Sequence, residues 1–227
     1  MAAESTTLLI AFGGMRGRIG MPPFEFLSLT GGIPVKRVFV RDLRQAWYHH
    51  GLPGQGDGLL DVARVLRELI DGHDVRRVVM AGNSAGGYAA LVFGCLLGAD
   101  AVLAFAPQTV LDLGTLAEMG DHRWDERLLE IAGEGGLDPA WTDLSGRLEP
   151  IRTADTRFAV YFDDTLEVDR LHAERLAGLS GLRLYRFGHG AHHLVRSLRD
   201  CGALERLLRD ALDAPQGGAG TAERTLS

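Results

Sequence analysis

The residues best suited to chemistry in this sequence are a serine and the glycines around it, in the segment Gly82-Asn-Ser-Ala-Gly-Gly87. Ser84 carries a hydroxyl that becomes a nucleophile when a neighbouring base removes its proton. Gly82 and Gly86, two positions on either side, suit a strained turn in which larger side chains would collide. The segment lies between a run typical of a strand and a run typical of an apolar helix. We therefore predict a nucleophilic serine at a sharp strand-to-helix turn.

Three histidines lie in the segment Gly188-His-Gly-Ala-His-His-Leu-Val195, near the last helical run of the chain. An imidazole at this place can act as a general base that accepts the serine proton and later returns it to the leaving group. A metal site is the competing interpretation, because imidazole is a common zinc ligand. We do not expect one, since three ligands within one short turn rarely converge and no companion cluster accompanies them. The other histidines considered are interpreted as surface or loop residues: His49, His50 and His73.

The elements that must position these residues alternate between strand and helix. Apolar runs predict strands at six segments: 6–12, 35–40, 77–82, 99–106, 157–162 and 182–187. Helical spacing predicts helices at four further segments: 58–72, 86–97, 169–179 and 193–212. Strands that are apolar throughout and alternate with helices indicate a parallel sheet covered on both faces. We therefore predict an α/β fold with a mostly parallel sheet of about six strands.

Residues 107–156 interrupt this alternation and form a predicted helical insertion, with a helix at about 123–132. Eight acidic residues and two arginines lie between positions 112 and 138, which gives this stretch a net charge of −6. Long insertions between sheet elements often act as lids, and a solvated surface decoration is the alternative. We expect residues 1–213 to form a single domain and the small, polar tail 214–227 to be disordered.

Charge and composition argue against several classes of function. Lys and Arg number 24 against 30 Asp and Glu, so the net charge of −6 disfavours binding to nucleic acid or an anionic membrane. No apolar run approaches the roughly 20 residues of a membrane-spanning helix, and the N-terminus lacks the features of a secretory signal. We expect Cys95 and Cys201 to be reduced, buried thiols in a cytoplasmic protein. The oligomeric state is not indicated by the sequence.

The order of strand, serine turn, helix, acidic segment and histidines resembles that of the α/β-hydrolase superfamily, over about residues 6–212. The chain also resembles a short bacterial branch of it, with Ser-Ala-Gly-Gly-Tyr at 84–88 and Phe-Ala-Pro-Gln-Thr at 105–109. It lacks the two N-terminal strands of larger members, so its first strand corresponds to the family's third. The resemblance implies a Ser-His-Asp triad and a covalent acyl-serine intermediate, with no cofactor and no metal.

The resemblance also implies where the base and the oxyanion hole lie. Family members commonly place the base shortly after a glycine and at the start of the last helix, which favours His192 over His189 and His193. The oxyanion hole needs two backbone N–H groups aimed at the developing negative charge. The resemblance assigns them to Ala85, directly after the nucleophile, and to Gly14, in the loop after the first strand. A plain glycine turn is the alternative interpretation of Gly14.

The triad acid follows the penultimate strand in the family, which here means the segment 162–169. Asp169 is favoured by a small margin over Asp164, with Asp163 third. The role of this acid is to accept the second imidazole N–H and to stabilise the imidazolium. Asp169 at the start of a helix is also compatible with an ordinary N-cap.

Three functions are compatible with these residues. The first is a serine hydrolase that acts on an ester or thioester of a small-molecule acyl substrate. The second is an acyltransferase that uses the same triad with an alcohol or amine in place of water. The third is a non-catalytic binding protein on the same fold, since fold alone does not prove activity. Four aromatic residues are candidates for an apolar pocket or for ordinary packing: Trp47, Tyr48, Trp124 and Trp141.

Overall fold

The protein is described by a computed structural model that covers residues 4–15, 26–148, 155–188 and 194–213. The three candidate bases, His189, His192 and His193, and the tail 214–227 lie outside the described residues.

Six strands form one parallel sheet. They are β1 (Thr7–Phe12), β2 (Lys36–Val40), β3 (Arg77–Asn83), β4 (Ala101–Phe105), β5 (Arg157–Asp163) and β6 (Leu182–Phe187). Their order across the sheet is β2-β1-β3-β4-β5-β6, and every neighbouring pair is parallel. All carboxyl ends therefore meet at one edge, where open α/β sheets place their ligands. The predicted sheet is confirmed.

Eight helices accompany these strands in the described part of the chain. They are α1 (Leu27–Thr30), α2 (Leu59–Asp71), α3 (Ala85–Leu97), α4 (Leu113–Glu118), α5 (Asp125–Gly133), α6 (Glu167–Glu174), α7 (Leu194–Asp200) and α8 (Ala203–Asp213). The helices predicted at 58–72, 86–97 and 123–132 are confirmed to within two residues at each end. None of the described helices is long and apolar enough to cross a membrane.

The helices pack on both faces of the sheet because successive strand residues point to opposite sides. In β1, Leu8, Ile10 and Phe12 belong to the core that also contains the apolar sides of α2 and α3. Leu9 and Ala11 belong to the opposite core, which is closed by apolar residues of α7 and α8. The central strands are consequently buried on both sides, as their continuous apolar sequence predicts.

The helix predicted at 193–212 is wrong in one respect, because two helices, α7 and α8, occupy its described part. The helical conformation is interrupted at Gly202, which has a positive φ of 73°. In one unbroken helix, Leu198 would share its face with Cys201, Gly202 and Glu205. The break changes the phase of the helix, so that Leu204 and Leu208 are buried beside Leu198.

The insertion is packed onto the domain in its described residues, 107–148. It contains α4, α5 and a short 3-10 helix at Pro139–Trp141, and only an isolated bridge between Val110 and Asp143 resembles strand pairing there. Its apolar side chains are buried in the core that also contains the apolar sides of α2 and α3, among them Leu116, Leu128, Ile131 and Trp141.

The two cysteines differ in their exposure. Cys95 on α3 is a buried free thiol, as expected. Cys201 is an exposed free thiol, so the expectation that it is buried is wrong. It lies between the end of α7 at Asp200 and the start of α8 at Ala203.

Candidate active site

Ser84 forms the turn between β3 and α3. Its φ of 56° and ψ of −120° are unusual for a residue with a side chain. Such a conformation costs about 1–3 kcal/mol and persists only where surrounding contacts enforce it. Here the Ser84 N–H donates to the carbonyl of Phe105 (2.9 Å), and its own carbonyl accepts the N–H of Tyr88 (3.0 Å). The predicted strand–turn–helix placement of this serine is confirmed.

The flanking glycines permit this turn by allowing two backbones to approach closely. A Cβ on Gly82 would collide with the carbonyl oxygen of Gly86. A Cβ on Gly86 would in turn collide with the carbonyl oxygen of Phe12, at the end of β1. Both positions therefore require glycine for space, as the sequence pattern predicts.

Two backbone segments adjoin the serine where an oxyanion hole is expected. Gly14 follows β1, and a Cβ built on it would lie 4.0 Å from the Cβ of Ser84 and 3.1 Å from the carbonyl oxygen of Asn83. Ala85 is the first residue of α3, so its N–H belongs to the helix end that has no intrahelical acceptor. The N-terminus of this 13-residue helix also favours negative charge nearby. The structure thus brings Ser84, Gly14 and Ala85 together.

The three candidate acids lie in different environments. Asp163 is the last residue of β5, is fully buried, and its Oδ1 accepts the N–H (2.9 Å) and hydroxyl (2.7 Å) of Thr165. Its register partner on β6 is Phe187, two residues before the segment 189–193 that contains the histidine candidates. Asp164 is exposed to solvent. Asp169 lies in the first turn of α6, where Nη1 of Arg123 donates to its carboxylate at 2.8 Å.

Arg123 connects two buried carboxylates. Its Nε and Nη2 donate to Asp121 (both 2.7 Å), while Nη1 binds Asp169, and each carboxylate side chain is 1% exposed. Burial alone raises the pKa of Asp121, but hydrogen bonds from Arg123 and His172 outweigh it and hold this pKa well below its usual range. The cluster joins the insertion to α6, and the carboxylate of Asp169 is therefore paired with Arg123.

Two buried histidines of the described chain have both ring nitrogens occupied. Nδ1 of His172 accepts the N–H of Thr109 (3.1 Å), so its Nε2 must carry the proton that faces Asp121 at 3.0 Å. Nδ1 of His49 accepts the N–H of Asp138 (2.9 Å), and its Nε2 donates to the hydroxyl of Tyr88 (2.7 Å). His49 is only 5% exposed, so it is not a surface histidine, but it does lie in a turn between β2 and α2, as the loop interpretation predicts.

Aromatic residues pack around the carboxyl ends of β2 and β4. Trp47 is fully buried and its Nε1 donates to Oε1 of Gln108 at 2.8 Å. Trp124 of the insertion meets the ring of Trp47 edge to face, with centroids 5.7 Å apart. Tyr48 and Trp141 are also buried. Core packing is therefore the observed role of Trp47, Tyr48 and Trp141, while Trp124 is half-buried.

Several polar residues near the site are missed by sequence reasoning. Asp121, Arg123 and His172 form the buried cluster described above, and Asp42 organises the loop after β2. In sequence Arg123 follows Asp121 by two positions and His172 follows Asp169 by three, but in the structure Arg123 also binds Asp169 and His172 binds Asp121. The two pairs are nearly 50 residues apart, so only folding shows that they form one cluster.

Comparison with solved structures identifies the fold. An esterase from Thermogutta terrifontis, solved with butyrate bound, is 21% identical over 95% of this chain and 87% of its own, with a TM-score of 0.56. The capsule O-acetyltransferase of Neisseria meningitidis serogroup A is 13% identical over 87% and 86%, with a TM-score of 0.64. An α/β-hydrolase enzyme from a lagoon-sediment metagenome in Morocco is 16% identical over 93% and 94%, with a TM-score of 0.58.

No protein-family model and no curated protein matches the sequence. The likenesses to solved structures are all at low identity, and what they establish is the architecture. Together with the strand order and the serine turn, they show that the chain has the α/β-hydrolase fold.

Proposed function

We propose that this protein is a serine hydrolase that cleaves a small-molecule ester or thioester through an acyl-Ser84 intermediate. The proposal rests on one observation: Ser84 has a positive φ in the turn between β3 and α3, and the backbone of Gly14 lies beside it. Strain at a residue with a reactive side chain, at the ligand-binding edge of a parallel sheet, is typical of a catalytic position. The esterase from Thermogutta terrifontis, bound to butyrate, supports an acyl substrate of this kind.

In this mechanism the Ser84 oxygen attacks the carbonyl carbon while its proton passes to the imidazole of His192. The N–H groups of Gly14 and Ala85 stabilise the negative oxygen of the tetrahedral intermediate. The carbon–oxygen or carbon–sulfur bond then breaks, and the leaving group takes the proton from the imidazole. Water, deprotonated by the same imidazole, attacks the acyl-enzyme and releases the carboxylic acid and free Ser84.

We assign the base to the segment 189–193 partly because the buried histidines elsewhere are committed to other bonds. His49 and His172 each accept a backbone N–H at Nδ1 and donate from Nε2. Neither has a free nitrogen with which to accept the serine proton. The family order favours His192 within the segment. In sequence this segment begins two residues after Phe187, where β6 ends at the same edge of the sheet as β3, which precedes Ser84.

We propose Asp163 as the triad acid, in place of the favoured Asp169. Asp163 is buried at the end of β5 and is aligned with Phe187, close to the start of the histidine segment. The carboxylate of Asp169 is paired with Arg123, a cation that would reduce its attraction for an imidazolium. Asp164 is exposed, and solvent weakens the interaction of a carboxylate with an imidazolium.

A fluorophosphonate probe tests the proposal directly. The wild-type protein is expected to gain one adduct, mapped to Ser84 by peptide mass spectrometry, and to hydrolyse p-nitrophenyl acetate or butyrate. Ser84→Ala is expected to lose both properties while keeping its melting temperature. Undiminished ester turnover by Ser84→Ala would falsify the assignment.

An acyltransferase on the same triad is the second candidate, and the likeness to a capsule O-acetyltransferase favours it. The two reactions differ only in whether water or an alcohol or amine attacks the acyl-enzyme. Adding a panel of alcohols and amines during turnover and measuring the ratio of acyl transfer to hydrolysis separates them. Transfer that saturates with one acceptor class and exceeds hydrolysis would establish the transferase.

A further inference from the structure

The loop that follows β2 contains an unusual concentration of backbone strain. Three of its residues that are not glycine, Gln45, Trp47 and Tyr48, have positive φ angles of 53°, 50° and 67°. Each such residue costs about 1–3 kcal/mol, so a chain keeps three of them together only where other contacts enforce the conformation. We call residues 42–48 the Asp42 loop.

The carboxylate of Asp42 provides the enforcing contacts. It accepts backbone N–H groups from Arg44 (3.0 Å), Ala46 (2.6 Å) and Tyr48 (2.9 Å), and the residue is 7% exposed. The loop thus wraps around one buried carboxylate. The consequence of this wrapping is a defined position for Tyr48, whose ring lies edge-on against Phe12 at the end of β1 (5.7 Å between centroids).

The hydroxyl of Tyr48 binds the backbone directly before Gly14. Its single proton is shared between the carbonyl oxygens of Gly13 (3.0 Å) and Val40 (3.1 Å), and that of Val40 also accepts the N–H of Gly13 at 2.8 Å. Both polar groups of Gly13 are therefore held. Burial raises the pKa of Tyr48 far above its usual value, so this hydroxyl stays protonated and remains a donor.

The planarity of the peptide bond transmits this orientation to Gly14. In a trans peptide the carbonyl oxygen of Gly13 and the N–H of Gly14 point in opposite directions. Because Tyr48 holds the carbonyl, the N–H of Gly14 must face away from Tyr48. Gly14 itself lies against Asn83 and Ser84.

We infer that Tyr48 is a positioning residue that orients the Gly14 N–H toward the oxyanion formed at Ser84. This inference rests on the proposed function, in which Gly14 supplies one of the two oxyanion donors. It also explains the strain of the Asp42 loop, because that loop places the Tyr48 hydroxyl against the carbonyl oxygen of the Gly13–Gly14 peptide. The effect is expected in the transition state, where the negative oxygen exists, and much less in substrate binding.

Tyr48→Phe removes the hydroxyl and leaves the ring. Removal of a whole oxyanion donor costs about 10²–10³ in kcat, so a donor that is only loosened is expected to cost about tenfold. We expect kcat for p-nitrophenyl butyrate to fall by about that factor with little change in KM. Inhibition by butylboronic acid, which forms a tetrahedral adduct with the serine, should weaken in parallel, while inhibition by the amide analogue of the substrate should not.

Tyr88→Phe is the matched control. Tyr88 is also a fully buried tyrosine whose hydroxyl donates to a backbone carbonyl, that of Trp141 at 2.8 Å, and its other hydrogen-bond partner in the described chain is His49 rather than the Gly13–Gly14 peptide. It should lose comparable stability in thermal melting without the selective loss of boronate affinity. Asp42→Asn keeps the hydroxyl of Tyr48 but weakens the loop that positions it, so it should show a smaller selective loss of kcat and boronate affinity. This variant takes the place of Tyr48→Phe if Tyr48→Phe does not fold.

The outcomes separate this inference from the proposed function. If the fluorophosphonate labels Ser84 but Tyr48→Phe changes kcat and boronate affinity no more than Tyr88→Phe does, Tyr48 is structural and only the inference fails. Equal losses of boronate and amide affinity in Tyr48→Phe lead to the same conclusion. If Ser84 is not labelled and Ser84→Ala keeps its activity, the proposed function fails and the inference fails with it.

Discussion

At the level of single residues, two buried histidines of the described chain have both ring nitrogens engaged in hydrogen bonds. The two buried histidines, His49 and His172, are each fixed as one neutral tautomer by a backbone N–H that donates to Nδ1. A general base must instead gain and lose a proton in each cycle. The buried histidines are therefore suited to structure, which supports the proposal that the general base belongs to the segment 189–193.

The assignment of the triad acid yields a first prediction. Asp163→Asn is expected to lower kcat by about 10³–10⁴, because an amide in place of the carboxylate no longer stabilises the imidazolium or fixes its tautomer. Asp164→Asn, at an exposed position, should stay within a few-fold of wild type. Steady-state kinetics on p-nitrophenyl esters, with melting temperatures as a check on folding, measure both. A larger loss in folded Asp169→Asn than in Asp163→Asn would return the assignment to Asp169.

The buried state of His49 yields a prediction about pH. Burial lowers the pKa of His49 from 6.5 to about 4, so the unfolded chain binds a proton there at a higher pH than the folded protein does. Stability from this residue is therefore complete above about pH 6.5 and is lost as pH falls toward 4. At pH 5 the loss corresponds to about 2 kcal/mol.

Urea unfolding at pH 7 and pH 5 measures this loss. His49→Gln removes the titrating group, so its unfolding free energy should fall by about 2 kcal/mol less than that of the wild type over the same interval. His73→Gln, at an exposed histidine, is the control and should follow the wild type. The idea is wrong if His49→Gln shows the wild-type dependence on pH.

At the level of secondary-structure elements, the close approach of β1 and α3 decides whether the serine turn can form. Gly86, in the first turn of α3, lies directly against the carbonyl of Phe12 at the end of β1, and Gly14, two residues further along the chain, lies beside Ser84. The geometry of the site is therefore a property of how these two elements pack, and it should be sensitive to a single methyl group.

Gly86→Ala is expected to lower the unfolding free energy by about 1–3 kcal/mol, because the added Cβ overlaps the carbonyl oxygen of Phe12. Ester turnover should fall by more than the increase in unfolded protein accounts for, because the end of β1, which precedes Gly14, must move. Gly133→Ala, at the end of α5, is the control, because its Cβ would meet nothing within 4 Å. That variant should be neutral or up to about 1 kcal/mol more stable, with normal turnover. Equal stability of the two variants in urea would contradict the packing argument.

At the level of the whole molecule, the insertion is held to the sheet domain by buried charge as well as by apolar packing. Arg123 in the insertion lies between Asp121 and Asp169, and Asp169 belongs to α6. Removing one partner from a buried ion pair leaves the other charge without compensation, which is strongly destabilising. These contacts favour an insertion that forms a fixed part of the domain.

Arg123→Met is expected to cost about 3–5 kcal/mol in unfolding free energy at pH 7. Its carboxylate partners are nearly inaccessible, whereas Arg64 and Glu68 form an exposed pair on α2, so Arg64→Met should cost at most about 1 kcal/mol. The deficit of Arg123→Met should narrow as pH falls below about 3.8, the ordinary pKa of Asp121, because the stability that its depressed pKa gives the wild type is present above that pH and is lost below it. Urea titrations at pH 7 and 3 test both statements, and a deficit independent of pH would contradict the second.

The six strands and the serine turn are predictable because their signals are local. The continuous apolar runs of β1, β3 and β4 alternate with helical runs, a pattern that favours buried strands covered on both faces, and glycines at positions 82 and 86 predict a turn without side chains. The break at Gly202 is less visible, because the surrounding sequence is compatible with one long helix until the burial of Leu204 and Leu208 is known.

The choice among Asp163, Asp164 and Asp169 shows where such reasoning ends. All three lie within seven residues, and their sequence context does not distinguish a carboxylate at a strand end from one that is neutralised by an arginine 46 residues away. The contacts of Tyr48 with Gly13 and of Arg123 with Asp169 join segments that are distant in the chain. The chain order determines the strands, the helices and the serine turn, because each depends on neighbouring residues, but which polar groups meet depends on how the finished elements pack.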